Sequence, residues 1–316
     1  MNEPIIISIV APVYGVERFI GRFAESVLSQ SYPHIQFVFV DDGTKDSSID
    51  ILNELIDSRF PHLRERVVIV HKQNAGLPAA RQTGMEYVTG DYVWHVDSDD
   101  WIAEDAVERI VSRIMETGSD VIYFGYMKEY ADRSKPKPEK EYTTDQKQTY
   151  VRNMYTHKAY GSVCNKCIRR SLYDKPLVKF APFSYAEDTY LTTQLVGYAS
   201  SISHLDECPY HYRKDNPHAI TRQNMKKRHR EYALNFLDLY ERYREVPTES
   251  NPVQVILDDI LLKAGWYSII YRLGLFKSHP YLAEAILKAK LRTGSEVWIP
   301  AQLLVKLVAF YHKLTR

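Results

Sequence analysis

Across the first 130 residues, short β-branched runs alternate with stretches of helical apolar spacing. That rhythm restricts the chain to an α/β layout around a largely parallel sheet. The runs 5–13, 35–40, 67–71 and 91–96 read as strands. Phe19, Ile20, Phe23, Val27 and Leu28 form a helical stripe after the first. After the second, Ser47 or Ser48 is placed to cap a helix carrying Ile49, Ile51, Leu52, Leu55 and Ile56. A third helix is expected over 77–88 and a fourth over 103–117, with Val107, Ile110, Val111 and Ile114 inward and Gly118 as its stop.

Residues 120–130 read as another strand, and 132–148 lose large apolar residues and read as a loop or hinge. Residues 150–213 mix short elements, and from Met225 the pattern is helical, through Leu234, Phe236, Leu237 and Tyr240 to Ile256, Leu257, Ile260 and Leu261. The predicted organisation is a domain over 1–222, with halves at about 1–130 and 150–222, and a helical region over 223–316. Near the end, Leu303, Leu304, Leu307, Val308, Tyr311 and Leu314 form a stripe flanked by Lys306, Lys313 and Arg316. Such a helix either lies on an anionic membrane or docks on the protein or on a second copy in a homo-oligomer.

At 45% hydrophobic and 26% charged, the composition is that of a globular chain rather than a disordered one. The 41 basic and 40 acidic residues balance overall, yet from Lys214 onward 17 basic residues face 10 acidic ones. The field is modest, no nucleic-acid module accompanies it, and nucleic acid is not an expected partner. Lys226-Lys227-Arg228-His229-Arg230 suits a membrane surface or a lipid diphosphate. Three cysteines, Cys164, Cys167 and Cys208, are too few for a disulfide framework and favour a reducing compartment. The first residues lack a basic leader, and the run 5–13 is too short to span a bilayer, so a cytoplasmic location is expected, peripheral on the inner membrane face if the terminal helix is interfacial.

In open α/β sheets ligands bind beyond the carboxyl ends of strands, so the residues after each apolar run carry the chemistry. The first ends in Pro12-Val13-Tyr14-Gly15, the second in Asp41-Asp42-Gly43-Thr44, the fourth in Asp97-Ser98-Asp99-Asp100. Carboxylates this close repel unless compensated, and Mg²⁺ or Mn²⁺ is the natural compensator. No phosphate loop or dinucleotide fingerprint follows the first strand. Asn74-Ala75-Gly76 opens a helix with Arg81 one turn inside, able to face a phosphate or a carboxylate.

Together these motifs resemble the inverting family 2 glycosyltransferases. The matching stretches are Pro12-Val13-Tyr14-Gly15, Val40-Asp41-Asp42-Gly43-Thr44, Asn74-Ala75-Gly76 with Ala80-Arg81-Gln82, and Asp97-Ser98-Asp99. Further on come Asn165-Lys166 with Arg169-Arg170, Glu187-Asp188, and Tyr210-His211-Tyr212-Arg213, so the resemblance covers about 5–222. Gly15 and Gln82 stand where the family usually has Asn.

The resemblance implies a Rossmann-like nucleotide-sugar-binding domain of the A-type glycosyltransferase fold with a helical C-terminal extension. It implies metal-assisted direct displacement of a hexosyl or N-acetylhexosaminyl group from a nucleotide-sugar donor, UDP-linked, to a glycan or lipid-linked saccharide of the bacterial cell surface. Asp41 would read the base, within a donor site formed with Pro12, Val13, Tyr14, Asp42, Asn74, Gly76, Arg81, Asp97 and Ser98. Asp99, with Asp97, would hold Mn²⁺ or Mg²⁺; Lys166, Glu187 and Arg213 would meet acceptor or diphosphate; Asp188 would be the general base. Two other readings stay open: a sugar-phosphate nucleotidyltransferase, and a non-catalytic nucleotide-sugar or glycan-binding protein.

Overall fold

In the computed structural model, which describes residues 3–216, 224–271 and 273–285, the chain divides into two compact units, 1–219 and 220–316. The first is built on a nine-stranded sheet. Strands β1 (Ile7–Val13), β2 (Ile35–Asp41), β3 (Val67–His71) and β4 (Tyr92–His95) run parallel in the order β3-β2-β1-β4. Register sets Val13 beside Asp41 and Asp41 beside His71, so the polar strand ends finish side by side.

Both faces of this half-sheet are covered. Ile7, Ile9, Ala11 and Val13 of β1 join one core, and Val10 joins Val38, Val40 and Ala80 on the opposite face. Two-sided burial is why these strands read as continuous apolar runs rather than as alternating ones. Helices α1 (Ile20–Leu28), α2 (Ser48–Arg59) and α4 (Ala106–Thr117) supply Phe23, Val27, Leu52, Ile56, Ile110 and Ile114 to the first core. Each such side chain contributes about 2 kcal/mol on burial. Helix α3 (Leu77–Met85) covers the other face, where Gly84 permits close approach: a Cβ there would lie 2.5 Å from Val10 Cγ1.

The sheet continues through β5 (Trp101–Ile102), β6 (Val121–Glu129), β7 (Ser134–Lys137), β8 (Lys166–Arg169) and β9 (Ile202–Arg213). The order is β4-β8-β6-β9-β5, with β8 antiparallel to β4 and β6, and β7 on the margin of β6. Between these strands lie α5 (Lys147–Tyr155) and α6 (Glu187–Tyr198).

Four local expectations change. The stretch 132–148, expected as a loop, contains β7 and the start of α5. Its Ser-Lys-Pro-Lys sequence has no apolar face because it is an exposed edge strand, where Lys and Pro are tolerated. The fourth helix begins at Ala106 rather than 103, since Trp101 and Ile102 pair with His211 and Tyr210. The third ends at Met85. The start of α2 is held by Asp46, whose Oδ1 accepts from Ser48 N at 3.2 Å, and not by a Ser47 or Ser48 side-chain cap. Gly118 does end α4, at φ 63°.

The second unit contains α7 (Met225–Tyr243), α8 (Leu257–Ile270) and α9 (Leu275–Ser278). Asn224 caps α7, accepting from Lys226 N at 2.9 Å. α7 and α8 meet through an aromatic seam in which His229 stacks on Tyr271 at 4.1 Å and Lys263 Nζ donates to the Tyr232 hydroxyl at 2.8 Å. The predicted stripe at 303–314 lies outside the described residues. Among the described residues no helix is long and apolar enough to cross a membrane.

Candidate active site

The ends of β1, β2 and β3 form one wall. The Gly15 N–H donates to Thr44 Oγ1 at 2.9 Å, and Asp41 Oδ1 accepts from Thr44 N at 2.8 Å. Asp41 Oδ2 lies 2.9 Å from His71 Nδ1 on the neighbouring strand. Asp42 differs: its carboxylate is buried and accepts from Lys72 Nζ at 2.7 Å, Ala75 N at 3.0 Å and Gly76 N at 2.9 Å. It holds the loop before α3 in place. Gly43 completes the lock: its φ is +69°, and a Cβ there would lie only 2.9 Å from Asn74 N. Tyr14 and Asn74 are left exposed along this wall.

The end of β4 is tied to its surroundings residue by residue. Ser98 is buried, and its hydroxyl donates to the Pro12 carbonyl at 2.6 Å. Asp100 accepts from the Tyr210 hydroxyl at 2.5 Å and from Arg213 N at 2.7 Å. Asp99 Oδ2 accepts from Asn216 Nδ2 at 2.6 Å. Arg213 Nε donates to the Asp99 carbonyl at 2.9 Å while its guanidinium lies 4.8 Å from the Phe19 ring and 5.0 Å from that of Trp101. Arg213 therefore braces the acidic turn. Burial, reinforced by neighbouring acids, pushes the Asp97 carboxyl up to about 6 and that of Asp100 well above its usual range.

The start of α6 supplies the remaining acids. Ala186, its N-cap, sits at φ 62°, a left-handed conformation that costs an L-residue about 1–2 kcal/mol. Glu187 and Asp188 follow in the first turn. Arg81, with no exposed side-chain surface, joins them to β4: Nη2 lies 2.7 Å from Asp97 Oδ1, Nη1 3.0 Å from Glu187 Oε1, and Nη2 3.5 Å from Asp188 Oδ1. Burial alone would weaken its hold on the proton, and the three carboxylates more than reverse that.

Two residues expected to meet ligand are buried: Arg81 stands behind the acids, and Lys166 donates to Tyr160 O at 2.7 Å, Ser162 O at 2.8 Å and Asn165 Oδ1 at 2.8 Å. Glu187, at 3% exposure, is likewise covered, whereas Asp97 at 26% and Asp188 at 32% open outward.

The donor set suits a divalent cation. Asp97 and Asp99 each have one oxygen taken by Arg81 or Asn216, and among the described residues no hydrogen bond reaches Asp97 Oδ2 or Asp99 Oδ1. Carboxylates here outnumber the neighbouring guanidiniums, an imbalance that a divalent cation would relieve. Among the described residues no three His, Cys, Asp or Glu side chains converge into a closed metal cage. Magnesium-type sites with one or two carboxylates are completed by phosphate and water.

Residues 8–176 match the family described as Glycosyl transferase family 2. The chain belongs to that family. It is 29% identical over 219 residues to the putative glycosyltransferase EpsH of Bacillus subtilis, covering 67% of this chain and 62% of that protein. The match to the poly(ribitol-phosphate) beta-glucosyltransferase of Bacillus spizizenii is 36% over 135 residues, 42% of this chain and 20% of that one. The chain thus spans less than two thirds of the length of these curated relatives. Among solved structures, S. aureus TarS 1-349 in complex with UDP-GlcNAc superposes with TM-score 0.61 at 18% identity, covering 93% of this chain and 94% of that one. The mannosyltransferase PcManGT of Pyrobaculum calidifontis, in complex with GDP-Man and Mn²⁺, gives 0.55 at 15% identity, covering 99% and 81%. The fold is the A-type glycosyltransferase fold.

Within the family 2 frame, Gly15 is explained by its φ of +67°, a conformation Asn also tolerates, with open space where a side chain would stand. Gln82 is exposed on α3. Three contributors escaped the sequence: His71, Tyr210 as the partner of Asp100, and Asn216. His71 closes a strand that ends beside Asp41, a position the strand-end argument already covered. Nothing local marks Asn216, whose importance rests on a contact 117 residues away.

Proposed function

We propose that this chain is an inverting glycosyltransferase, moving a sugar from a nucleotide-activated donor, UDP-linked in this reading, to a glycan or lipid-linked saccharide acceptor. The observation that carries the reading is the convergence of Asp97, Glu187 and Asp188 on Arg81 at the carboxyl end of the parallel strands, with Asp99 two residues beyond Asp97. The UDP-GlcNAc and UDP complexes of TarS support the donor class, and the name of the B. spizizenii relative supports a cell-surface acceptor.

Asp41, oriented by Thr44 and His71, takes the base, beside the exposed Tyr14. Asp99, with Asp97, would hold Mn²⁺ or Mg²⁺, which offsets charge on the leaving diphosphate. Asp188 accepts the proton of the acceptor hydroxyl through its exposed side while that oxygen attacks the anomeric carbon from the face opposite the diphosphate. A single displacement inverts the centre. Arg81 fixes Asp97 and Asp188 relative to one another. At the start of α7, exposed Lys226, Lys227 and Arg230 favour an anionic membrane surface, where a lipid-linked acceptor resides.

The test is calorimetric titration of UDP, GDP, dTDP and CDP with and without Mn²⁺, on the parent, Asp41→Ala and Asp99→Ala. Base-selective, metal-enhanced binding lost in both variants is expected, with free nucleoside diphosphate as product. Pyrophosphate release would instead indicate nucleotidyl transfer, and donor binding without turnover a binding protein.

A further inference from the structure

We propose that Glu187 carries a proton and donates it as a hydrogen bond to Asp188, so that the two adjacent carboxyls act as one acid–carboxylate pair with a single negative charge. Glu187 Oε2 and Asp188 Oδ1 are both buried, and neither accepts a hydrogen bond from another side chain or backbone among the described residues. Both carboxyls meet the same guanidinium, Glu187 Oε1 at 3.0 Å from Arg81 Nη1 and Asp188 Oδ1 at 3.5 Å from Arg81 Nη2. Two ionised carboxylates so placed repel, and one proton between them satisfies both orphaned oxygens.

The charge around them points the same way. Arg81 from α3 is one cation facing Asp97 at the end of β4 and both acids of α6. His95, beside Arg81, is kept neutral by complete burial and adds no compensating charge. Of the three acids Glu187 is the most enclosed, at 3% exposure against 26% and 32%, so it retains the proton. Burial, with the adjacent Asp188 carboxylate adding to it, pushes Glu187 well above the usual range despite the opposing pull of Arg81.

In this arrangement each atom of the neutral acid has work suited to it. Its carbonyl oxygen Oε1 accepts from Arg81 Nη1 at 3.0 Å, and its hydroxyl Oε2 donates to Asp188 Oδ1. Consecutive residues inside a helix diverge, but these two follow the left-handed Ala186 in the first turn, and both reach Arg81. The consequence is an Asp188 whose inner oxygen is pinned while the rest of its carboxylate turns outward. Glu187 is a positioning residue for the base.

The proposal rests on Asp188 as the base only for its kinetic arm. Infrared difference spectroscopy of parent minus Glu187→Gln at neutral pH, without substrate, should reveal the carbonyl stretch of a neutral carboxylic acid; contributions from Asp97 and Asp100 cancel. Glu187→Gln preserves both the acceptor toward Arg81 and the donor toward Asp188. It should melt with the parent and turn over within about threefold of it, whereas Glu187→Ala should lose about 30-fold. Absence of the band, a Gln variant as impaired as the Ala variant, or a Gln variant that does not fold would overturn the proposal. If the parent transfers no sugar, the functional reading fails, and the infrared band still decides the protonation.

Discussion

The Tyr210 hydroxyl donates to Asp100 Oδ2 at 2.5 Å, a bond across 110 positions that fastens the acidic turn after β4 to strand β9. The same hydroxyl accepts from Asp97 N at 3.3 Å. Tyr210→Phe leaves a buried carboxyl group one hydrogen-bond partner short and should lower stability by about 1–3 kcal/mol, read from urea midpoints. Metal-enhanced UDP binding should weaken with it. An unchanged midpoint would show that Arg213 N alone suffices for Asp100.

Arg81 is the cation of a buried cluster. Arg81→Met removes it and leaves Asp97, Glu187 and Asp188 facing one another, a loss of roughly 3–5 kcal/mol. Arg81→Lys should recover only part of that, because one ammonium cannot span the planar fork that links β4 to α6. Denaturation of the two variants beside the parent measures the difference, and a Lys variant as stable as the parent would contradict the bridging role.

Asp188→Asn removes the proton acceptor while leaving the donor wall untouched. Transfer should fall by about 10²–10⁴ with UDP affinity nearly unchanged. Calorimetry paired with initial rates separates the two quantities, and normal transfer would assign the base elsewhere.

Lys166 gives a pH signature. Burial lowers its pKa from 10.5 to about 8, so the folded chain releases this proton earlier than the unfolded one. Between pH 8 and 10.5 the unfolded state binds more protons, and stability therefore rises with pH across that window. The penalty is full below pH 8 and gone above 10.5. The parent-minus-Lys166→Met stability difference should shift by roughly 2–4 kcal/mol over that range. Lys263, depressed to about 8 in the second unit, is present in both proteins and cancels. A flat difference would mean that Lys166 titrates alike in both states.

The strand–helix alternation was legible because parallel strands buried on both faces must be continuous apolar runs, and β1 is buried at all seven positions. The acidic turn and the Glu187-Asp188 pair were visible as residues at element ends. β7 was not, because an exposed edge strand carries no apolar signal. The reading of Arg81 as able to face a phosphate or a carboxylate left its three carboxylate partners open, and the burial of Arg81 and Lys166 was not legible, since sequence reports charge but not accessibility. Capping of α2 by Asp46 rather than Ser47 turned on which short polar side chain the local turn brought within reach.

By itself, then, the sequence determined the α/β layout, the family 2 motifs and the carboxylates available for chemistry, because these depend on residue type and short-range spacing. Only the tertiary structure decided which charges face outward and which are walled in. Asp97 and Asp188 open to solvent while Arg81 and Glu187 close behind them, an arrangement set by contacts between residues 16 and 106 positions apart. Desolvation and pairing act through space, and no local pattern along the chain encodes them.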